Sequence, residues 1–204
     1  MIRCLNVRVK KLGEASNPYD ATTDEELARL VRAGRPELFA QLYARYYSRV
    51  YRMAYGMTGR HDAAEDLAQE IFLRAYQKID LFDMRSSFST WFYRLAFNRA
   101  LNYSKARQNL RAEQEGDFDR MPSTGSSRQM DKKLLEEEVQ AQVYRALASL
   151  KPKLRLVVIL KDIEGLRYEE IAERMNCSTG TLASQLKRAR RLLARKLQHL
   201  RGAY

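Results

Sequence analysis

The C-terminal end of the chain carries closely spaced cations of the kind that bind a polyanion. No acidic residue follows Glu173. The cations from residue 187 onward are Lys187, Arg188, Arg190, Arg191, Arg195, Lys196 and Arg201. Side chains that neutralise phosphates release condensed counterions, so the binding that this pattern predicts should weaken steeply with salt. The alternative is a solvated basic helix face without a partner.

The segment that leads into these cations has the layout of a helix-turn-helix. Residues 165–193 read GLRYEEIAERMNCSTGTLASQLKRARRLL, a short helix, a turn and a second helix with a polar outer side. Asn176 tolerates a left-handed turn, and Ser178 suits the N-cap of the second helix. Early residues of such a helix reach base edges, whereas later cations hold the backbone. The candidates for reading are Thr181, Ser184, Lys187 and Arg188, and those for positioning are Arg190, Arg191 and Arg195.

Two earlier helical segments present faces of opposite charge. A helix opening at Asp62 turns Ala64, Leu67, Ile71 and Ala75 inward, which leaves Asp66, Gln69, Glu70 and Leu73 outward. Carboxylates on that face could pair with arginines of a protein partner, or be an ordinary solvated surface. A later helix over residues 88–107 has no acid from Arg94 through Arg111, so its exposed face is positive. Its Trp91, Phe92 and Leu95 recur at helical spacing and are interpreted as core.

The remaining elements are helical as well. Thr23 and Glu26 form a capping-box pair for a first helix that ends at Gly34, and a second starts near Pro36 and runs to Gly56–Gly59. No segment alternates as a strand would. The predicted fold is all-α, with two small helical domains joined by a flexible linker. The predicted divisions are a basic arm over 1–21, a domain over 22–108, a linker over 109–134 and a helix-turn-helix domain over 135–204.

Composition narrows the class of protein. The formal net charge is +12 with a pI near 9.8, the balance of a protein that binds polyanions. Cys4 and Cys177 are far apart, and His61 and His199 alone could assist them, so neither a metal site nor a disulfide framework is expected. Cys177 is interpreted as a small buried hydrophobe. No cofactor, signal peptide or membrane-inserted segment is predicted, which favours the cytoplasm.

Three segments in order resemble the extracytoplasmic-function (ECF) sigma factors, also called group IV. They are DAAEDLAQEIFLRAYQKIDLF, FSTWFYRLAFNRALNY and LKPKLRLVVILKDIEGLRYEEIAERMNCSTGTLASQLKRAR. The resemblance covers residues 22–108 and 135–198. It implies a non-catalytic, ATP-independent subunit that binds core RNA polymerase, recognises the minus-35 and minus-10 promoter elements and promotes DNA melting. It also implies control by an anti-sigma factor.

The resemblance assigns a role to each face. Contacts with the clamp helices of the polymerase largest subunit would come from Asp62, Asp66, Gln69, Glu70 and Leu73, and the flap would be a further partner surface. The non-template strand of the minus-10 element would be bound by Phe82, Phe88, Arg94, Asn98, Arg99, Asn102 and Arg107. In that set Asn98 lines the pocket for an extruded base, and residues 82–88 form the loop around it. Minus-35 duplex would be bound by Thr181, Ala183, Ser184, Lys187, Arg188, Arg190 and Arg191.

The sequence departs from the common family pattern at two places. Asn102, Ser104 and Lys105 stand where many members have an acid and two arginines. In the recognition helix, Ala183 and Gln185 stand where many members are basic. Both departures predict a different base readout.

Two other functional classes fit parts of the chain. A conventional repressor or activator would use the helix-turn-helix, but it would not need an exposed Asp66, Gln69 and Glu70, and it should not bind polymerase core. A nucleic-acid enzyme would need clustered carboxylates or a nucleophile motif. The acids here spread over helix surfaces, which disfavours an enzyme.

Overall fold

The N-terminal half of the protein is a group of packed helices. The computed structural model describes Tyr19, residues 21–113, Val139 and residues 141–198, and of residues 108–113 it describes the backbone alone. Most of the predicted arm, including Cys4, and most of the predicted linker therefore lie outside the described residues. The helices are α1 (Asp24–Arg32), α2 (Phe39–Thr58), α3 (His61–Gln77) and α4 (Phe88–Glu113), with 3-10 turns at Pro36–Leu38 and Ile79–Leu81.

Local capping explains where these helices begin and end. The Thr23 hydroxyl accepts a hydrogen bond from the Glu26 amide at 3.2 Å, as the capping prediction requires. The Glu26 carboxylate pairs with Arg29 at 2.6 and 2.8 Å, so the reciprocal half of the predicted box is replaced by an ion pair. Helix α2 ends at Gly59, whose φ of 73° is readily adopted by glycine.

The C-terminal half contains the predicted helix-turn-helix. Its helices are α5 (141–148), α6 (Pro152–Val158), α7 (Tyr168–Met175) and α8 (Thr179–Lys196), and one π-helical turn (Ile159–Ile163) extends α6. Asn176 has φ 50° at the turn, and the Ser178 hydroxyl accepts from the Thr181 amide at 3.1 Å, as predicted. The described residues contain no strand, which confirms the all-α class.

The two helical groups share one hydrophobic core. Gly56 of α2 lies against Ile159, so closely that a Cβ atom at Gly56 would stand 2.8 Å from the Ile159 Cδ1 atom. The buried Arg155 guanidinium donates to the Met57 carbonyl at 2.8 Å, and within its own domain it donates to the carbonyls of Leu147, Ala148 and Leu150. We call these two contacts, Gly56–Ile159 and Arg155–Met57, together with Arg52–Glu164 and Arg94–Glu173, the domain interface.

The described helices contain no segment both long and apolar enough to cross a membrane. Cys177, in the turn before α8, is a half-buried free thiol packed against the core. Among the described residues, no cluster of His, Cys, Asp and Glu is arranged to hold a metal ion.

Candidate polymerase-binding and DNA-binding surfaces

The acidic face of α3 begins at an exposed Asp62. The Arg60 guanidinium donates to this carboxylate at 2.5 and 3.1 Å, and the Ala63 amide donates at 2.8 Å. These bonds, Arg60 first, lower the pKa of Asp62 to about 2, so the carboxylate is ionised at neutral pH. Asp66 is exposed one turn later, Gln69 is half-buried, and Leu73 is 39% exposed. The face thus offers a charged end and an apolar end.

Glu70 and Arg99 pair with each other across the α3–α4 contact. The Arg99 Nη2 atom donates to Glu70 Oε2, and Arg74 donates to Glu70 Oε1 at 3.1 Å. Arg99 lowers the pKa of Glu70 below its ordinary value, and Arg74 adds to the effect. Both side chains are at most one-third exposed. Glu70, predicted for polymerase, and Arg99, predicted for DNA, therefore neutralise each other inside the first domain.

The loop before α4 and the first residue of α4 turn their aromatic side chains inward. Phe82 is 0% and Phe88 1% exposed, and their rings meet at 5.6 Å between centroids. Both side chains are buried in the free protein, because burial of large aromatic surface outweighs exposure in this segment, and their contact with DNA stays a prediction. Helix α1 holds the loop backbone at both ends, through Arg32 to the Phe82 carbonyl at 2.9 Å and Glu25 to the Phe88 amide at 2.8 Å.

The outer face of α4 carries the predicted amide pair. Asn98 and Asn102 are both exposed and lie one turn apart. Arg94, one turn before Asn98, donates to the Glu173 carbonyl of α7 at 3.2 and 3.3 Å. Arg107 donates to the Tyr103 hydroxyl at 3.2 Å. The amides thus face solvent, whereas Arg94 and Arg107 have protein partners.

The predicted core assignment on α4 agrees with the packing. Phe92 is 1% exposed, and Trp91 and Leu95 are half-buried against the core. Phe97 is also buried, at 2%.

Helix α8 separates a buried stripe from an exposed polar face. Leu182, Leu186 and Ala189 are fully buried against the rest of the domain. The exposed side chains include all of the residues predicted to bind minus-35 DNA, Thr181, Ala183, Ser184, Lys187, Arg188, Arg190 and Arg191. The Arg190 guanidinium donates to the Asp162 carboxylate at 2.5 and 3.2 Å, which holds it against the π-helical turn of the same domain.

Sequence reasoning missed residues that now stand out. Leu81 is 69% and Met84 42% exposed in the segment between α3 and α4, and Met84 has φ 61°. Glu173, the last acid of the sequence, contacts Thr90 and Arg94, which precede it by 83 and 79 positions. Leu81 is exposed although Ile79, two residues before it, is buried, and no periodic pattern in the sequence distinguishes the two.

Comparison with known proteins assigns both halves. The family Sigma-70 region 2 matches residues 42–110, and Sigma-70, region 4 matches residues 140–193. The ECF RNA polymerase sigma-E factor of Haemophilus influenzae is 33% identical over 184 residues, covering 87% of this chain and 97% of that protein. The chain belongs to the ECF sigma factors of the sigma-70 family. The sigma-E factor of Escherichia coli K12 is 36% identical over 141 residues, which are 66% of this chain and 74% of that protein.

Solved structures agree with this ECF fold. The sigma factor RpoE of Bartonella quintana, in complex with the anti-sigma factor NepR, matches with a TM-score of 0.58 and 25% identity over 78% of this chain and 96% of that one. CnrH, in complex with the cytosolic domain of CnrY, matches with a TM-score of 0.63 and 22% identity over 86% and 97%. The family prediction is confirmed, and the chain is an alternative sigma factor that binds core polymerase and promoter DNA. A conventional repressor would leave the region 2 match unexplained.

Proposed function

We propose that this ECF sigma factor uses three separate helices for its three tasks. The acidic face of α3 binds core polymerase, the outer face of α4 holds the melted non-template strand, and α8 reads the upstream duplex. The observation that carries the proposal is α8, where Thr181, Ser184, Lys187, Arg188 and Arg191 are exposed on a helix whose opposite stripe is buried. A polar, cationic helix face of this kind suits the major groove.

Polymerase binding falls to the part of α3 that is open to a partner. Asp62, Asp66, Gln69 and Leu73 combine carboxylates for arginines on the clamp helices with an apolar side chain for packing. Glu70 acts differently, because its carboxylate braces α4 through Arg99. The flap of the polymerase is the partner of the C-terminal domain.

Minus-10 recognition falls to Asn98 and Asn102. Both amides are exposed and can pair with the edge of an extruded base, while Phe82 and Phe88 fix the shape of the adjoining loop from inside. Arg94 becomes available to a phosphate once its contact with Glu173 opens. Arg107 lies farther along the same helix and follows the strand.

For minus-35 recognition, one group of α8 residues contacts base edges and another contacts phosphates. Thr181, Ala183 and Ser184 lie at the N-terminal end, where side chains reach base edges, together with Lys187 and Arg188. Arg190 and Arg191 contact phosphates, and Arg190 does so from its anchored position beside Asp162.

Simultaneous binding of both promoter elements requires the domains to separate. The elements are named for positions about 25 base pairs apart, or roughly 85 Å at ~3.4 Å per pair. In the closed arrangement, the distance between Asn98 and Thr181 is at most roughly 50 Å. This limit is the length of the path that runs from Asn98 along α4 to Arg94, across the Arg94–Glu173 contact, and along the chain to Thr181. The domain interface must therefore open on the promoter.

The same function places the protein among non-catalytic specificity subunits acting in the cytoplasm with the polymerase. An anti-sigma factor is its expected regulator, because the related Bartonella quintana RpoE was solved with the anti-sigma factor NepR.

Reconstitution with core polymerase and run-off transcription on a genomic library tests the proposal. We expect start sites that require the added chain and share two upstream sequence elements. A chain that fails to bind core polymerase, or that binds without producing such start sites, would contradict it.

A further inference from the structure

An arginine-lined cavity lies where the two domains meet. Its volume is about 510 Å³, and its walls come from α1, α2, α4 and α7. Four lining side chains are arginines, Arg45, Arg49 and Arg52 of α2 and Arg174 of α7, whereas the lining contains one acid, Asp24. None of these residues belongs to the polymerase-binding or DNA-binding surfaces described above.

The spacing of the three α2 arginines places them on one side of the helix. Positions three and four apart on a helix are neighbours, and like charges there repel. Two of the three are compensated within the protein. Asp24 accepts from Arg45 at 2.6 Å, and Glu164, whose side chain is 7% exposed, accepts from Arg52 at 2.7 and 2.9 Å. Arg49 lies between these two ion pairs and is exposed to the cavity.

Arg49 faces a phenol rather than a carboxylate. Burial raises the pKa of the Tyr93 hydroxyl above its ordinary value, although the nearby Arg49 acts in the opposite direction, so the phenol is neutral. A neutral partner leaves the guanidinium charge uncompensated. The remaining donors of Arg49 are available to an anion in the cavity.

Arg174 brings a buried cation from the other domain. Its side chain is 11% exposed, its guanidinium lies 4.5 Å from the centre of the Tyr93 ring, and its Nη2 atom is 3.9 Å from Glu170. Its Nη1 atom is buried and has no hydrogen-bond partner among the described residues. A buried guanidinium N–H without an acceptor is costly, and Arg174 is one of the side chains that line the cavity.

We propose that this cavity binds a small anion with a polyphosphate chain, held between Arg49 of the first domain and Arg174 of the second. The planar fork of arginine matches phosphate oxygens, and the lining serines Ser48 and Ser89 add hydroxyl groups. The volume falls within the range of small-molecule sites and exceeds what orthophosphate needs. The ligand class is therefore an inorganic diphosphate or triphosphate, or the phosphate chain of a nucleotide.

Binding here favours the closed arrangement of the domains. Helix α7 carries Arg174 and also Glu173, which contacts Thr90 and Arg94 on α4. A ligand that contacts both domains binds the closed state alone and shifts the population toward it. Reduced promoter binding in the presence of the anion follows, and this consequence rests on the proposed function, whereas the binding itself does not.

Calorimetric titration of the full chain with sodium diphosphate, triphosphate, ATP and orthophosphate at constant ionic strength tests the site. We expect one equivalent of diphosphate or triphosphate to bind, with orthophosphate weaker. Tighter binding of ATP than of triphosphate assigns the nucleotide as the source, and equal binding assigns the phosphate chain. Failure of all these polyphosphates to bind stoichiometrically would overturn the proposal.

Two variants separate the cavity from the rest of a basic protein. The double substitution R49Q/R174Q should weaken diphosphate about tenfold or more, because two charge-assisted hydrogen-bond donors are lost. The matched control R188Q/R191Q removes the same charge from α8 and should retain the affinity. Equal loss in both variants would reveal non-specific adsorption and overturn the site.

Folding and transcription provide independent readouts. Arg49 is exposed, so the single variant R49Q should keep the unliganded melting curve and still bind diphosphate several-fold more weakly. Unchanged affinity in a folded R49Q would contradict the assignment of Arg49. A chain that binds diphosphate through Arg49 and Arg174 but supports no transcription would contradict the proposed function and leave the cavity standing.

Discussion

Helices α4 and α8 are both assigned to DNA, yet they present themselves differently. On α8 the exposed face is open, and Arg190 is the residue of the assigned set seen in an ion pair. On α4 two of the assigned cations are engaged, Arg94 by the Glu173 carbonyl and Arg99 by Glu70. The difference teaches that the cations of α8 are ready for duplex DNA in the free protein, whereas Arg94 of α4 becomes available only after the domains part and Arg99 stays paired with Glu70 inside its own domain.

Charge reversal on α8 is the largest expected effect. The double substitution K187E/R188E should weaken duplex binding by about a hundredfold or more at physiological salt, because phosphate contacts are lost and replaced by repulsion. The comparison variant R190Q should cost only a few-fold, since Arg190 is already paired with Asp162. Fluorescence anisotropy over a salt series measures both. Retained affinity of K187E/R188E would remove α8 from DNA recognition.

Truncation of the Asn98 side chain is expected to have the next largest effect. N98A should slow open-complex formation by about tenfold to a hundredfold, since an amide–base contact is worth roughly 1–3 kcal/mol. Core binding should not change, because Asn98 lies on α4 and outside the set of α3 residues assigned to polymerase. Permanganate reactivity of the minus-10 thymines reports melting. Normal melting by N98A would exclude its role.

Reversal of Asp66 tests the polymerase surface. D66R should reduce affinity for core polymerase about tenfold through lost attraction and new repulsion. The neighbouring E65R makes the same change one residue away, on a side of α3 near the tyrosines of α2, and should have a smaller effect. Competition binding with labelled core measures both. Equal losses would mean that overall charge, rather than this face, governs binding.

The smallest expected effect is that of substituting Glu70. It distinguishes a residue that stabilises α4 through Arg99 from one that contacts polymerase. E70Q should lower stability by about 1 kcal/mol at neutral pH, because the half-buried Arg99 loses its charged partner. The folded-state pKa of Glu70 is depressed, so this contribution is present above the ordinary value of 4.5 and is lost as pH falls through the lower folded-state value.

Thermal unfolding of E70Q and the parent chain at neutral and acidic pH checks this sign. The difference between them should shrink toward acidic pH. A difference that grows on acidification would contradict the stabilising ion pair with Arg99. A loss of core affinity with unchanged stability would make Glu70 a polymerase contact instead.

Local chemistry made much of the fold predictable from sequence. Thr23 and Ser178 mark helix starts through their own hydroxyl groups, and Asn176 marks the turn through its tolerance of positive φ. The buried stripe of α3 follows from its period of apolar residues. These signals lie within a few residues of the feature that they predict.

The contacts that modify the site could not be predicted in the same way. Glu70 and Arg99 are 29 positions apart, and Arg94 and Glu173 are 79 apart. Sequence pattern gives the outer face of each helix but not which other helix covers it. Phe82 and Phe88 show the same limit, because an aromatic residue in a loop suits a base stack and a core equally well.

Energy transfer between the two domains tests the central claim most directly. The dyes would be attached to cysteines introduced by K105C on α4 and A194C on α8, both exposed positions, after Cys4 and Cys177 are replaced by serine. We predict high transfer in the free protein and little transfer in the open promoter complex with core polymerase, where the two elements lie roughly 85 Å apart. Unchanged high transfer in a transcriptionally active complex would contradict an opening of the domain interface.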